Sequence, residues 1–206
     1  MSPNSIRDKL GYHTLSNRNL VHSLLGGNVL LKFFIKETMS KALIVIDMQN
    51  DFLTGSLANP GACEIIPNIR LEENKDEYDF IVFTKDTHQS DYLQTPEGKQ
   101  LPIEHCIEGT WGHQVTDELL TINKHLVVLN KPTFGSLELY KMLEDVDEVT
   151  LVGTCTDICV VSNALILKAA LPELVVNVKA DCCAGTTPEN HEAALKVMKS
   201  CQINII

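Results

Sequence analysis

The 206-residue chain is 44% hydrophobic and 21% charged, a balance that supports one folded domain with a substantial core and excludes disorder and fibrous repeats. Seventeen Lys and Arg against 27 Asp and Glu leave a net charge of −10, which phosphate backbones repel, so no nucleic-acid partner is expected.

Residues 1–38 hold scattered basic side chains (Arg7, Lys9, Arg18, Lys32, Lys36) without a clear period. Met39-Ser40-Lys41 then runs straight into Ala42–Ile46, so Met39 reads as a start codon. The expectation is a domain over 39–206 preceded by a vector-derived or mis-annotated extension over 1–38. A secretory signal is the competing reading, but no small-residue cleavage site follows Phe33-Phe34-Ile35-Lys36-Glu37. The longest apolar stretch, Leu20 to Ile35, is broken by Gly26, Gly27 and Lys32 and falls short of the roughly 18 residues a membrane span needs. No membrane association is expected.

Beyond Lys41, short apolar runs alternate with helical patterns. Strands are expected at Ala42–Ile46, Phe80–Phe83, Leu126–Leu129, Val149–Val152 and Leu174–Val178, with Gln202–Ile206 as a terminal candidate. These runs are rich in β-branched residues and apolar on both faces, as strands inside a parallel sheet must be. Helices are expected from Cys63 to about Leu71 and over Ser136–Leu143, the latter capped by Ser136. Two more span Thr156–Ala170, stopped by Pro172, and Pro188–Ser200, with proline at an early position. The alternation predicts an α/β fold: an open, mostly parallel sheet of about six strands, helices on both faces, in a Rossmann-like three-layer arrangement. The seven cysteines include the adjacent pair Cys182-Cys183 and lack a small-scaffold spacing, which points to free thiols and a cytoplasmic location. A homo-oligomer is expected because closed symmetric assemblies are common.

In such sheets the site lies beyond the carboxyl ends of the strands. Four runs deliver ionisable or reactive groups there: Asp47-Met48-Gln49-Asn50-Asp51-Phe52, Thr84-Lys85-Asp86-Thr87-His88, Asn130-Lys131-Pro132-Thr133-Phe134-Gly135, and Gly153-Thr154-Cys155-Thr156-Asp157-Ile158-Cys159-Val160. Cys159 is the candidate nucleophile, placed where the first turn of a helix favours the thiolate. The N–H groups of Cys155 and Cys159 are candidates for an oxyanion hole. A lone cysteine is more often a buried apolar side chain; a base and a lysine beside it reverse that judgement. Asp47 ends an apolar strand, so loss of water should raise its pKa and suit it to exchange protons with a thiol. Lys131 is placed to bond Asp47 and stabilise negative charge, and Asp51 reads as a turn or capping residue.

Asp86 and His88 are two residues apart on a strand end, so both side chains face the same way. His105 could return as a third ligand after the loop 89–104. Two imidazoles and a carboxylate suit Zn²⁺ first, with Fe²⁺ or Mn²⁺ also compatible. His13, His22, His113, His125 and His191 show no partner pattern and are assigned no chemistry.

Together these motifs resemble the isochorismatase-like cysteine hydrolases, and within them the nicotinamidase-like branch, over essentially all of 41–206. The resemblance implies a catalytic triad of Asp47, Lys131 and Cys159, metal ligands Asp86, His88 and His105, and a cis peptide joining Thr154 to Cys155. It also implies a substrate pocket lined by Phe52, with Phe134 as a further wall. The implied activity is hydrolysis of nicotinamide, or a related small carboxamide, to the acid and ammonia through a thioester. Two alternatives are a hydrolase of the same fold acting on a ureido acid or vinyl ether, and a non-catalytic metal-binding domain. The vinyl-ether branch does not use the Asp–His–His site. The chain departs from the pattern of some nicotinamidases by having no histidine from Gln89 to Glu104 and by placing Pro102 where they carry a tryptophan. Cys155 is a second thiol at helical spacing from Cys159, able to pack there or form a disulfide on oxidation.

Overall fold

The computed structural model describes residues 39–119 and 125–206, all within the second of the chain's two units, Thr38–Ile206. The expectation of an extension over 1–38 lies outside the described residues.

Six strands form one sheet in the order β3-β2-β1-β4-β5-β6, every neighbouring pair parallel. They are β1 (Lys41–Ile46), β2 (Phe80–Asp86), β3 (Leu126–Lys131), β4 (Glu148–Thr154), β5 (Val175–Ala184) and β6 (Asn204–Ile205). β1 is central, with Ile44 opposite Val82 on one side and Leu151 on the other. Its alternation assigns the two cores. Ala42, Ile44 and Ile46 pack with Ala164 and Leu167 of α6 (Val161–Ala170) and with Leu195 and Met198 of α7 (Pro188–Ser200). Leu43 and Val45 face the opposite way, onto Ala62 of α2 (Pro60–Glu64) and Ile66 and Ile69 of α3 (Ile66–Glu73). A strand covered on both faces has no polar side to show, which is why its sequence is uninterrupted hydrocarbon. Three further short α-helices lie among the described residues: α1 (Asn50–Leu53), α4 (Pro96–Gln100) and α5 (Leu139–Met142).

The fold class and all six expected strands are present, and α7 has the expected limits, with the Thr187 side chain accepting from the Asn190 N–H at its start. Several boundaries differ for physical reasons. The single helix expected near 63–71 is two, because Pro67 near the start of α3 cannot continue a helix already under way from Pro60. The helix expected over 136–143 is the single turn α5; Ser136 Oγ instead accepts from the Glu138 N–H at 3.2 Å, tightening the approach to it. β5 runs six residues beyond Val178, past a register shift opposite Leu151–Gly153, and its charged Lys179 and Asp181 pair with each other at 3.3 Å. The helix expected over Thr156–Ala170 begins as a π-helical turn, Thr156–Val160, before α6. No helix among the described residues is long and apolar enough to cross a membrane.

The sheet order reverses direction between β1 and β4. Chains leave that point toward opposite edges, opening a crevice at the carboxyl ends of the strands.

Candidate active site

Asp47 follows β1 and Cys159 follows β4, on the two sides of this crevice, while Lys131 closes β3. The ends of β1 and β4 come so close that a Cβ on Gly153 would fall 2.1 Å from the Ile46 carbonyl oxygen, and Gly153 has φ +114°, a region glycine alone enters freely. Asp47 itself adopts φ 48°, which turns its carboxylate back across the strand ends. The Thr154–Cys155 peptide is cis, as the resemblance implied.

Asp47, Lys131 and Cys159 converge. The fully buried Lys131 ammonium lies 2.6 Å from Asp47 Oδ2 and 3.5 Å from Cys159 Sγ, and donates to the Thr133 carbonyl at 3.2 Å. Thr84 Oγ1 donates to the other Asp47 oxygen at 2.6 Å. Burial pushes the Asp47 carboxyl up, against the pull of the Lys131 charge. Burial alone would lower Lys131, but the carboxylates of Asp47 and Asp86 and the Cys159 sulfur hold it above the ordinary lysine range. Cys159 corrects one expectation. Burial and the adjacent Asp47 charge raise its thiol well above normal, outweighing Lys131, so a thiolate resting on a helix start is not its ground state.

The second cluster begins on β2. Asp86 Oδ2 is 3.0 Å from His88 Nε2 and 3.6 Å from His105 Nε2, and all three groups are buried. Their donor atoms lie within 4.8 Å of one another. His105 Nδ1 bonds the Ile103 carbonyl at 2.8 Å, which fixes the tautomer that leaves Nε2 free as a ligand. Burial works to raise Asp86, but His105, His88 and Lys131 outweigh it and hold the carboxyl below its usual range, so it is anionic. An anionic oxygen and two imidazole nitrogens, buried and convergent, fit a divalent cation. The two clusters share Asp86, whose Oδ1 is 3.5 Å from the Lys131 ammonium.

Phe52 is half-buried with its ring 5.8 Å from that of His105, while Phe134 is 46% exposed on the loop after β3. Cys155 is half-buried, with Thr154 Oγ1 bonding its sulfur at 3.3 Å, and like the other cysteines it forms no disulfide.

Several side chains that shape the site carry no sequence signal strong enough to find them. Gln49 is fully buried and grips the Asp86 backbone at both ends, accepting from its N–H at 2.7 Å and donating to its carbonyl at 2.9 Å. Its place two residues after Asp47 was the one clue. Glu97 on α4 brings a carboxylate oxygen to 3.6 Å from His88 Nε2 and 3.9 Å from His105 Nε2. Asp91 and Glu104 lie in the same loop, and spacing could not choose among the three. Tyr92 packs its ring 4.6 and 4.9 Å from the two imidazoles and donates its hydroxyl to the Leu101 carbonyl. His113 and His191, assigned no chemistry, each hold a threonine: His113 Nε2 bonds Thr87, between Asp86 and His88, and His191 Nδ1 bonds Thr156 at the head of the cysteine turn, both at 2.9 Å.

An open parallel sheet with an acid, a lysine and a cysteine at its switch point, beside a two-histidine carboxylate cluster, defines a cysteine-hydrolase framework. Residues 41–206 match the family model described as the Isochorismatase domain, and the chain belongs to that family. Among its relatives is the nicotinamidase/pyrazinamidase of Mycobacterium tuberculosis, 30% identical over 185 residues, covering 81% of this chain and 98% of that one. Similar solved structures include the pyrazinamidase/nicotinamidase of Streptococcus mutans, with TM-score 0.71, 29% identity, and coverage of 81% of this chain and all of that one. Another is the pyrazinamidase of Pyrococcus horikoshii in complex with zinc, with TM-score 0.67, 29% identity, and coverage of 81% and 98%.

Proposed function

We propose that this chain is a cysteine-dependent amidohydrolase that converts nicotinamide, or a closely related small carboxamide, to the acid and ammonia. The observation that carries it is the Lys131 ammonium, held 2.6 Å from Asp47 and 3.5 Å from Cys159 in a buried setting. The relatives named nicotinamidases support the substrate.

Asp47 takes the proton from Cys159 Sγ as the sulfur attacks the amide carbon, forming the C–S bond. Negative charge moves to the amide oxygen, where the N–H groups of Cys155 and Cys159 receive it and Lys131 adds a buried positive charge. Asp47 returns its proton to the amide nitrogen, the C–N bond breaks and ammonia leaves. Water then attacks the thioester while Asp47 accepts its proton; the C–S bond breaks, the acid departs, and Cys159 is reprotonated. Phe52 and Phe134 provide the apolar walls for a flat ring.

Asp86, His88 and His105 would hold a divalent metal, with Glu97 near enough to join them. When bound, the ion would supply a Lewis-acidic point for a ring nitrogen or for water. Zinc is our first choice, since the Pyrococcus relative binds it; iron(II) or manganese(II) suits the same donors. We place the enzyme in the cytoplasm on the strength of its free thiols, as a homo-oligomer.

The test is ammonia release from a panel of nicotinamide, pyrazinamide, benzamide and an N-carbamoyl amino acid, with and without a chelator. Nicotinamide is expected to turn over and the chelator to suppress it. Turnover of the ureido compound alone would move the assignment to that branch, and inertness toward the whole panel would remove it.

A further inference from the structure

The cysteine turn and the loop after β3 meet at one side chain. Asn163, in the first turn of α6, is fully buried. Its Nδ2 donates to the Cys159 carbonyl at 2.8 Å and to the Phe134 carbonyl at 3.2 Å, while Oδ1 accepts from the Ser136 N–H at 2.9 Å. Both N–H groups and the oxygen are therefore used. Asparagine is a poor helix former, and a buried amide is tolerated only when bonded; a leucine would serve simple packing better. What the amide adds is a link between two segments that the sheet alone does not join.

The linked loop is pressed onto α6 by other means too. A Cβ on Gly135 would fall 2.4 Å from Ile166 Cδ1 and 3.2 Å from Ser162 Cβ, both on α6. Lys131 holds Thr133 from the strand side. Across the π turn, Thr156 is tied to His191, and the Asp157 carboxylate accepts from the Thr186 N–H at 2.8 Å. The turn that presents the thiol is thus anchored on one flank to the start of α7 and on the other to the Phe134 loop through Asn163.

We propose that Asn163 is a positioning residue that keeps the Cys159 sulfur and the Phe134 wall in a fixed relation. It rests on the function proposed above for the roles of Cys159 and Phe134, and it acts through them, touching neither substrate nor reacting atoms. A bond to the nucleophile's own carbonyl and another to the carbonyl of the wall residue leave little play between them. Small displacements of a nucleophile are costly, so the link should appear in kcat as well as KM.

The experiment compares Asn163→Ala with Leu167→Ala, a core truncation one turn along the same helix. It reads thermal stability, kcat and KM on nicotinamide, and the rate of Cys159 alkylation by iodoacetamide resolved by peptide mass spectrometry. Asn163→Ala is expected to lower kcat about tenfold or more, raise KM and change the alkylation rate at least about threefold. Leu167→Ala should lose as much stability while keeping kcat within about twofold of wild type. Equal kcat losses in the two variants would assign the effect to stability and overturn the proposal. If Asn163→Ala does not fold, Gly135→Ala lifts the same loop from the other side and should reproduce the kcat loss; kcat near wild type there would also overturn it. Alkylation needs no substrate. If nicotinamide proves inert but the alkylation rates still separate, the positioning role stands and the substrate assignment falls.

Discussion

The two halves of the site are built differently. The Asp47–Lys131–Cys159 half takes one group from each of three separate strand ends, and all three sit in packed core. The half that could hold a metal takes Asp86 and His88 from a single strand end, and His105 and Glu97 from the excursion between β2 and β3. The first half is fixed by the sheet. The second depends on a loop whose shape is imposed by side chains distant in sequence. The two should therefore fail in different ways when perturbed.

The largest effects belong to the sheet-built half. Cys159→Ala is expected to abolish ammonia release, a fall of about 10³-fold or more, with circular dichroism and melting temperature close to wild type. Retained turnover would remove the nucleophile. Asp47→Asn should cost about 10²–10⁴-fold in kcat, and it carries a second, signed expectation. The Asp47 charge is one of the causes that raise the Cys159 thiol, so neutralising it should lower the thiol pKa and move the pH profile of Cys159 alkylation toward acid. A variant inactive in hydrolysis yet easier to alkylate at neutral pH would separate proton transfer from thiol ionisation. A profile that stays put or moves alkaline would mean that the carboxylate does not act on the sulfur.

That contrast also governs what could be read from the chain. The strands were legible because burial on both faces demands uninterrupted apolar runs; Asp47 and Lys131 drew notice because they stand just past such runs, and Cys159 because it falls in the first turn of the helix expected from Thr156. Asp86 and His88 were legible for the same reason, and His105 as a histidine able to return after the loop 89–104. Glu97, Tyr92 and Gln49 were not, because their roles arise from where the loop folds back, and nothing local to Glu97 distinguishes it from Asp91 or Glu104. The ionisation of Cys159 was misjudged for a related reason. Position at a helix start is a local property that favours the thiolate, whereas burial beside Asp47 is a tertiary one, and burial is the larger effect.

In the loop-built half, His105→Ala should lower metal content measured by elemental analysis and reduce kcat/KM by about 10–100-fold, less than loss of the nucleophile. Cys159 alkylation should remain near the wild-type rate, since His105 makes no contact with the triad lysine. Slowed alkylation of equal degree would show that the halves are not separable.

Asp51 gives the smallest expected effect and the sharpest division. Expected to be a turn or capping residue, it does accept from the Ser56 N–H at 3.1 Å, but its other oxygen accepts from the Cys106 N–H at 2.7 Å, 55 residues away. Cys106 adopts φ 47°, an unfavourable setting for a residue with a Cβ, immediately after His105. Gly112 packs so tightly on the same carboxylate that a Cβ there would lie 2.0 Å from it. One carboxylate therefore holds the bend that aims His105. Asp51→Asn keeps the shape and one acceptor oxygen, so it should weaken metal binding by only about threefold; Asp51→Ala, which frees the bend, should weaken it by about tenfold, in the range for residues that orient metal ligands. Chelator competition followed by elemental analysis reads this directly. Alkylation of Cys159 should be unchanged in both variants, because the triad is held by β1, β3 and β4 and not by this bend. Metal affinity indifferent to Asp51→Ala would mean that the loop keeps its own shape, and the distinction between a sheet-built and a loop-built half would lose its basis.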